Sequence, residues 1–464
     1  MMRMESDTLK HPTVPERKAR GKDARKTSPR SGSGAWKPDP NRRDPVDIIQ
    51  EGTRDAIPGL VPIRYGRMSA SPFTFYRGTA AIMAADLAGT PNSGINAQLC
   101  GDAHLSNFGL FGSPDRALVF DVNDFDETLP GPWEWDLKRL AASFVLAARD
   151  NGLGKKAQRE VAMRSAAAYR TAIRKAAAAD NLDVWYLRID SDQLLALAPK
   201  KTQKKGKKQV KKARAKTSDR AVKKLSTVVD GQRKIVHQPP LVVPFSEYFT
   251  ETARDELLSA VVDFFENYRN SLRSDRRHLL RSYQLVDMAL KVVGVGSVGM
   301  RNMVALGQGH DEEDLIFLQI KEAGDSALTT YGGLPTSKKP GERVVEGQRL
   351  MQATGDIMLG WSSSGKFHFY VRQLWDMKGS FETSDMAEGE LGRYADACGW
   401  TLARAHCRSG DRIAMASYLG KGNVFDKALA DFGVTYADQA ERDYEAFMEA
   451  GKSGRIEIDT SANK

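Results

Sequence analysis

The residues best suited to chemistry lie close together, between residues 100 and 143. This stretch holds Asp102, His104, Asn107 and several further carboxylates in short segments on either side of an apolar run at 117–120. Carboxylates held close together repel one another unless a bound cation or a shared proton relieves the repulsion. The stretch therefore predicts a metal site or a proton-transfer site. His104 could bind a metal or a phosphate, and a supporting hydrogen bond is an equally good interpretation.

The spacing within this stretch narrows the chemistry. Asp102 and Asn107 repeat the Asp-x-x-x-x-Asn spacing of a kinase catalytic loop, in which Asp accepts the proton of the acceptor hydroxyl and Asn holds a metal. Asp124 follows the apolar strand, where kinases carry a metal-binding Asp. The same spacing also permits Asp121, and Asp126 is a further candidate metal ligand.

A glycine-rich segment far along the chain offers a phosphate-binding loop. Gly294, Gly296 and Gly299 form a Gly-x-Gly-x-x-Gly pattern with a β-type run after it and no room for a crossover helix. This favours a hairpin tip that covers nucleotide phosphates over a dinucleotide-binding turn. The next strand ends at Lys321, where kinases carry a phosphate-binding lysine, and Glu346 on the following helix is the candidate to orient it. A structural turn and a surface lysine are the alternative interpretation.

Together these segments resemble the catalytic core of aminoglycoside phosphotransferases and choline kinases, which have the protein-kinase-like fold. The resemblance rests on residues 101–107, on the strand leading into Asp124, and on the helix that begins with Trp-Asp-Leu at residues 135–137. It implies an α+β, bilobal fold, ATP and Mg²⁺ as cofactors, and a structural role for Asp136. Cys100 stands where these families have His. The catalytic loop also precedes the glycine loop, so the resemblance implies a circularly permuted motif order.

From about residue 44 the whole chain is also similar to the uncharacterised bacterial family called domain of unknown function 2252. The similarity includes the phrases SPFTFYRG, FYVRQLWDMKGS and LARAHCRSGD. This second resemblance implies no substrate.

Composition and periodicity divide the chain into four parts. Residues 1–43 are predicted to be a disordered basic arm, and residues 44–290 a mainly helical lobe that carries the catalytic loop and a flexible basic insertion at about 200–228. Residues 291–380 are predicted to be a β-rich, nucleotide-binding lobe, and residues 381–464 to be helices that pack on the helical lobe.

The net charge of +10 comes from two segments. Residues 200–224 carry a net +12 and residues 1–43 a net +7, so the rest of the chain carries a net −9. Residues 1–43 and 200–224 could bind polyanions weakly, and the segment at 200–224, which lacks aromatic side chains, could do so only without sequence preference. Solvated segments are the alternative interpretation.

Several observations indicate a cytoplasmic protein. The sequence lacks an apolar run of the roughly 18 residues needed to span a membrane, and its polar start lacks the apolar core of a signal peptide. Its three cysteines cannot all pair with one another and form no Cys-x-x-Cys motif, so the sequence suggests neither a disulfide framework nor a thiolate zinc site.

Arginines interleave with aromatic residues between Arg64 and Arg77, in the sequence RYGRMSASPFTFYR. Arginines at this density could bind a phosphate or a carboxylate of a ligand. They could equally form salt bridges to the acidic stretch.

Three functions are compatible with these patterns. The first is a Mg-ATP-dependent phosphotransferase acting on an unidentified hydroxyl acceptor, with Asp102 as the base and Lys321 on the nucleotide phosphates. The second is a metal-dependent phosphoesterase or similar hydrolase that uses the acidic stretch. The third is a non-catalytic protein that binds nucleotides or polyanions through its basic segments.

Overall fold

The structure is a computed structural model that describes residues 11–196, 200–239, 241–247, 254–291 and 298–461. Helices and antiparallel sheets are both prominent, which confirms the expected mixed α+β class. Within the described ranges, none of the helices combines the length and the apolar character that crossing a membrane requires.

Residues with known preferences for helix N-termini lie at the start of α15 and α6. Pro340 occupies the first turn of α15, and Glu134 and Asp136 lie in the first turn of α6, where carboxylates favour the helix dipole. In chain order the helices are α1 (Val14–Thr27), α2 (Pro45–Glu51), α3 (Val61–Met68), α4 (Pro72–Tyr76), α5 (Ala80–Ala88), α6 (Glu134–Asp150), α7 (Lys155–Ala176), α8 (Asn181–Tyr186), α9 (Ser191–Ala196), α10 (Lys200–Arg214), α11 (Ser218–Leu225), α12 (Arg254–Ser271), α13 (Ser274–Leu280), α14 (Ala327–Tyr331), α15 (Pro340–Met351), α16 (Glu388–Cys407), α17 (Arg412–Leu419) and α18 (Val424–Lys452).

The strands are short and pair antiparallel throughout. They are β1 (Asn96–Leu99), β2 (Phe108–Gly112), β3 (Leu118–Val122), β4 (Leu129–Pro132), β5 (Ile189–Asp190), β6 (Ser226–Val229), β7 (Gln232–Ile235), β8 (Val242–Pro244), β9 (Gln284–Lys291), β10 (Met303–Gln308), β11 (Leu315–Glu322), β12 (Gly360–Ser364), β13 (Phe367–Gln373) and β14 (Gly379–Ser380).

The helical part is organised around α6, which is buried along almost its whole length. Helices α7, α16 and α18 pack around α6 and share one large apolar core. Small residues allow the close packing of α7 and α16. A side chain at Gly399 would overlap the backbone of Ser165, so the two helices can approach this closely only with glycine there.

The principal sheet has six strands in the order β12-β13-β11-β10-β9-β8. Its alternating pattern gives it two distinct faces. Leu318 and Ile320 pack toward α12 on one face, whereas Phe317 packs toward α11 on the other. Lys321 continues the second face, two strand positions beyond Gln319, and there the sheet meets the acidic segment.

A second sheet frames the acidic segment and has the order β14-β2-β3-β5. The predicted catalytic loop connects β1 to β2, and the segment carrying Asp124 connects β3 to β4. Because β2 and β3 are paired neighbours, the two loops leave the sheet side by side. This topology brings the acidic side chains together.

The prediction of a disordered arm at residues 1–43 was wrong for the described part of that segment. Helix α1 packs against α17, and a side chain at Gly21 would overlap the carbonyl of Ala414. Arg25 donates to the carbonyls of Ser417 and Tyr418, at the C-terminal end of α17. The basic residues are ordered because they satisfy carbonyls that lack partners within the helix.

The prediction of a flexible insertion at about 200–228 was also wrong for the described residues. Helices α10 and α11 bury small and apolar residues on one side, including Ala213, Ala221 and Leu225, and leave most lysines in water. Those few apolar residues follow the spacing of a helix, but the many lysines between them made this pattern hard to recognise in the sequence. The sheet also begins earlier than residue 291, because β8 and β9 belong to it.

Candidate active site

The loop that carries Asp102 is held by the first turn of α6. The carboxylate of Asp136 accepts hydrogen bonds from the backbone amides of Cys100 and Gly101, at 2.8 and 3.0 Å. His406 Nε2 lies 3.2 Å from the same carboxylate, and its Nδ1 hydrogen-bonds with Tyr169 at 2.8 Å. Asp136 therefore positions the loop, as the sequence predicted, and the buried His406 supports it.

Two further residues on the same face of α6 also hold the loop that carries Asp102. Arg139 donates to the carboxylate of Asp102, and Ser143 Oγ accepts from the amide of Leu105 at 3.0 Å. The spacing of 136, 139 and 143 places these three side chains in one row along a helix. Sequence reasoning missed Arg139, although its position three residues after Asp136 was a usable signal.

Gly101 has a conformation and an environment that require glycine. Its φ angle is 82°, and a side chain at this position would overlap the carbonyl of Glu127. The chain can therefore turn sharply between the end of β1 and Asp102 only with glycine there.

Asp102 is suited to accept a proton near neutral pH. Burial raises the pKa of Asp102 to about 6, because the loss of hydration disfavours the carboxylate more than Arg139 favours it. A group with this pKa is mostly ionised at pH 7 and still basic enough to accept a proton. Its side chain retains 19% exposure, so a ligand can reach it.

His104 is buried beside Asp102, with its Nε2 3.6 Å from Asp102 Oδ2. Burial lowers the pKa of His104 well below its usual range, and the nearby charges of Arg77 and Arg139 lower it further. The imidazole is therefore neutral at physiological pH. Its Nδ1 is buried without a hydrogen-bond partner.

Asn107 and Asp124 stand next to each other at the point where the two loops meet. Asn107 Nδ2 donates to the carbonyl of Asp102 at 2.7 Å, and the amide of Asn123 donates to the carbonyl of Asn107 at 2.8 Å. Burial tends to raise the pKa of Asp124, but the charges of Lys321 and Arg372 outweigh it and lower the pKa. Asp124 is therefore an ionised carboxylate in a positive environment.

Lys321 joins the principal sheet to the acidic segment. Its Nζ lies 2.7 Å from Asp126 Oδ2 and 4.0 Å from Asp124 Oδ1. Tyr370, paired with Lys321 across strands β11 and β13, donates to Asp126 Oδ1 at 2.7 Å. Burial alone would lower the pKa of Lys321, but the two carboxylates reverse the shift and raise it. Lys321 is thus a buried cation, not a surface lysine.

The predicted partner of Lys321 was wrong. Glu346 forms ion pairs with Arg349 at 3.2 Å and Lys338 at 3.7 Å on the exposed side of α15. The carboxylate that holds Lys321 is instead Asp126, two residues after Asp124. The helical period determines which residues of α15 face the cleft. The sequence alone did not show on which side of the helix Glu346 would lie.

Asp121 is placed as a structural residue and not as a metal ligand. It forms an ion pair with Arg404 of α16 in which both side chains are only 2% exposed. Asp121 Oδ2 also accepts from the amide of Ala353 at 2.9 Å. The prediction that Asp121 is an alternative metal ligand was wrong. Its side chain lies buried against α16, and both of its carboxylate oxygens already have protein partners.

The glycine segment connects β9 to β10, which are paired antiparallel strands. Gly294 and Gly296 lie outside the described residues. Gly299 has a φ angle of 96°, and its carbonyl accepts from the amide of Ile57 at 2.8 Å. The end of this loop is therefore fixed against the segment that follows α2.

Two cavities meet at this centre. The larger, of about 850 Å³, is bordered by Asp102, His104 and Asp126, among others. The smaller, of about 460 Å³, lies between β11 and the segment after β13. Asn107 and Asp124 border both cavities, so these two side chains mark the boundary between them.

The smaller cavity contains cations that sequence reasoning did not assign to the site. They are Lys216, Lys291, Arg372 and Lys378. The charge of Arg372 lowers the pKa of Lys378 to about 7, and burial adds to the effect. Little in the sequence indicated this cluster, because the four cations come from three separate segments that only the fold brings together.

Part of the smaller cavity's wall is formed by the basic insertion. The amide of Met377 donates to the carbonyl of Lys216 at 2.8 Å, and Gln373 Nε2 donates to Ser218 Oγ at 2.7 Å. The backbone after β13 is thus partly covered by the segment between α10 and α11.

Comparison with known proteins gives one match. Residues 54–450 match the family described as "Uncharacterized protein conserved in bacteria (DUF2252)". The chain belongs to this family. No curated protein and no solved structure matches the chain. The DUF2252 match includes every candidate site residue and begins after α2.

The donor atoms of the DUF2252 site suit one kind of metal binding. Within the described ranges, no group of three His, Cys, Asp or Glu side chains is arranged to hold an ion. Mg²⁺ needs fewer protein ligands, because it commonly binds one or two carboxylates together with substrate phosphates and water. Asn107 and Asp124 fit that mode. Asn107 Nδ2 donates to the carbonyl of Asp102, so the Oδ1 of the same amide remains available to a metal. They do not fit an all-protein metal centre.

Proposed function

We propose that the protein is a Mg-ATP-dependent phosphotransferase of protein-kinase-like, circularly permuted architecture that acts on a hydroxyl acceptor. The observation that carries the proposal is the contact of Lys321 with Asp126 and Asp124, across 195 and 197 residues of chain. A lysine on the third strand of a glycine-loop sheet, next to an Asp after a short strand, is the arrangement by which kinases hold nucleotide phosphates and their metal.

The strand order supports the same assignment. Strands β9 and β10 form a hairpin with the glycine segment at its tip, and β11 pairs with β10 and ends near Lys321. Helix α15 follows β11 and packs against the sheet beside β12 and β13. These elements follow the order of a kinase small lobe, but they come after the catalytic loop in the chain, which is the permuted order that the sequence suggested.

Each side chain would have a separate role. The smaller cavity would hold the nucleotide, since its volume suits a small ligand and its lysines and Arg372 suit a triphosphate. Lys321 would contact the phosphates, and Asn107 and Asp124 would hold Mg²⁺. Bound Mg²⁺ would neutralise charge on the transferring phosphoryl group.

Asp102 would serve as the base. It borders the larger cavity and not the smaller one, so an acceptor in the larger cavity would reach it directly. Asp102 would accept the proton of the acceptor hydroxyl as the oxygen bonds to the γ-phosphorus and ADP leaves. Arg139 would keep the carboxylate in position, because its Nε donates to Asp102 while its Nη2 is fixed on the carbonyl of Tyr76 at 2.8 Å.

Two alternatives have less support. A phosphoesterase with its own metal centre needs more protein ligands than the described side chains bring together. A polyanion-binding protein that acts through free basic segments fits poorly with α1, α10 and α11, which are packed on the rest of the fold.

A thermal-shift experiment tests the proposal. We expect Mg²⁺ with ATP to raise the melting temperature of the wild type, because a ligand at 100 times its Kd stabilises the folded state by about 2.7 kcal/mol. ATP with EDTA, and Mg²⁺ alone, should have much smaller effects. Asp124→Asn should lose the Mg²⁺ dependence. Stabilisation by Mg²⁺ alone, with no effect of ATP, would instead support a metal hydrolase.

A further inference from the structure

Two arginines border the larger cavity, which is the proposed acceptor site. Arg64 lies on α3 and Arg77 follows the last residue of α4, and both contribute to the wall that also contains Asp102 and His104. Neither arginine borders the smaller cavity. They are therefore separated from the cations proposed to bind the nucleotide.

Both guanidinium groups lack partners. The Nε atoms of Arg64 and Arg77 are buried without a hydrogen bond, and in the described part of the chain neither side chain forms an ion pair. By contrast, the half-buried Arg42 bridges Asp86 and Asp443. Arg64 and Arg77 are also half-buried, and a cation that loses part of its hydration without gaining a partner is costly to maintain. An anion that binds beside it reduces that cost.

The nearby carboxylates do not fill this role, because they have other partners. Asp126 is held by Lys321 at 2.7 Å, and Glu322 pairs with Arg301 at 3.2 Å. Glu127 accepts from the amide of Ala327 at 2.7 Å. The salt-bridge interpretation of the arginine segment is therefore wrong for Arg64 and Arg77.

Burial and the nearby charges shift the pKa values of these two arginines in opposite directions, and burial has the larger effect. Burial lowers the pKa of Arg77, and the charges of Asp102 and Asp124 oppose that shift only in part. Burial likewise lowers the pKa of Arg64. An arginine remains protonated under these conditions. The wall beside Asp102 therefore presents two positive charges that are available to a ligand.

We propose that Arg64 and Arg77 bind an anionic group of the acceptor, a phosphate or a carboxylate carried by the molecule whose hydroxyl is phosphorylated. This proposal rests on the proposed function. An oxyanion held by the two arginines would fix one end of a small acceptor in the larger cavity. Its hydroxyl would then lie toward Asp102 and the boundary formed by Asn107 and Asp124. The acceptor class is thus an anionic alcohol rather than a cationic one.

Binding of simple anions tests this proposal without knowledge of the acceptor. We would titrate inorganic phosphate and, separately, malonate into the full-length protein by calorimetry, with and without saturating Mg-ATP. Arg64→Gln and Arg77→Gln remove one cation each. Arg159→Gln is the matched control, because Arg159 forms an exposed ion pair with Asp431 and borders neither cavity.

We expect saturable binding of at least one anion to the wild type, unaffected by Mg-ATP. Each cleft variant should weaken it at least tenfold, and the control less than twofold. The preferred anion would indicate whether the acceptor carries phosphate or carboxylate. Melting temperatures of both cleft variants should equal or exceed that of the wild type, since each removes an unpaired, half-buried charge, and this separates lost binding from lost folding.

Three results would overturn the assignment. They are an absence of saturable binding of either anion to the wild type, unchanged binding in both cleft variants, and competition between the anion and Mg-ATP for one site. If the wild type binds phosphate through the two arginines but does not bind Mg-ATP, the phosphotransferase proposal fails and the arginine pair stands as an anion site alone.

Discussion

Lys321 Nζ lies 2.7 Å from Asp126 Oδ2, although 195 residues separate the two side chains in the chain. This contact closes the cleft between the principal sheet and the acidic segment. It brings Lys321 of the principal sheet next to the acidic segment that also carries Asp124.

Removing the charge of Asp126 should weaken nucleotide binding, whereas removing the charge of Glu346 should have little effect. Asp126→Asn should weaken Mg-ATP binding at least tenfold, because it releases Lys321 from its position. Glu346→Gln should change binding less than twofold and the free energy of unfolding by less than about 1 kcal/mol, since the pairs of Glu346 are exposed. Calorimetric titration of both variants measures the difference. Equal losses would mean that Glu346 approaches Lys321 when the nucleotide binds.

Substitution of Asp121 should affect stability, whereas substitution of Asp124 should affect metal binding. Asp121→Asn should lower the free energy of unfolding by about 3–5 kcal/mol, because it leaves the buried Arg404 without its partner. Asp124→Asn should have little effect on stability and should abolish the dependence of ATP binding on Mg²⁺. Denaturant unfolding and metal titration test the pair. A folded Asp121→Asn protein with normal stability but no Mg²⁺ dependence would reverse the two roles.

The pH dependence of phosphotransfer should reflect Asp102. Its pKa of about 6 means that the carboxylate is protonated and inactive as a base below pH 6, and ionised above it. The rate at low acceptor concentration should therefore rise with pH through about 6 and then level off. Asp102→Asn should reduce the rate by about 10²–10⁴-fold and remove this limb. A rate independent of pH between 5 and 7 would exclude Asp102 as the base.

Nucleotide affinity should fall as the pH rises through about 7. Arg372 lowers the pKa of Lys378 to about 7, so Lys378 is a cation below that pH and neutral above it. A neutral lysine binds a triphosphate less well, and the bound phosphates should in turn raise the pKa of Lys378. ATP dissociation constants between pH 6 and 9 measure this trend, and Lys378→Met should flatten it. A wild-type affinity that rises over the same interval would contradict the assignment.

Much of the site could be predicted from the sequence because its spacing is local. The separation of Asp102 and Asn107, the position of Asp124 after a strand and the position of Asp136 at a helix start depend on a few neighbouring residues. Long-range partners were harder to predict. Arg139, Tyr370 and Lys378 reach the site through the fold, and Glu346 was chosen for its distance along the chain rather than for the side of α15 on which it lies.

The basic segments show the opposite error. Charge density suggested disorder in the regions of α1, α10 and α11, yet a few apolar or small residues in each determine the packing. Gly21, Ala213 and Ala221 are examples, because each lies against another element while neighbouring lysines and arginines remain in water or bind carbonyls. Net charge describes the exposed face of such a helix and says little about its buried face.

Calorimetric titration of ATP into the purified protein, with Mg²⁺ and with EDTA, is the decisive test of the proposed nucleotide site. We expect one ATP bound per chain with Mg²⁺ and at least tenfold weaker binding with EDTA. Lys321→Met should abolish most of the affinity, whereas Lys338→Met, which removes a partly exposed lysine paired with Glu346, should not. No Mg-dependent ATP binding by the wild type, or equal binding by wild type and Lys321→Met, would rule out a Mg-ATP site at Lys321.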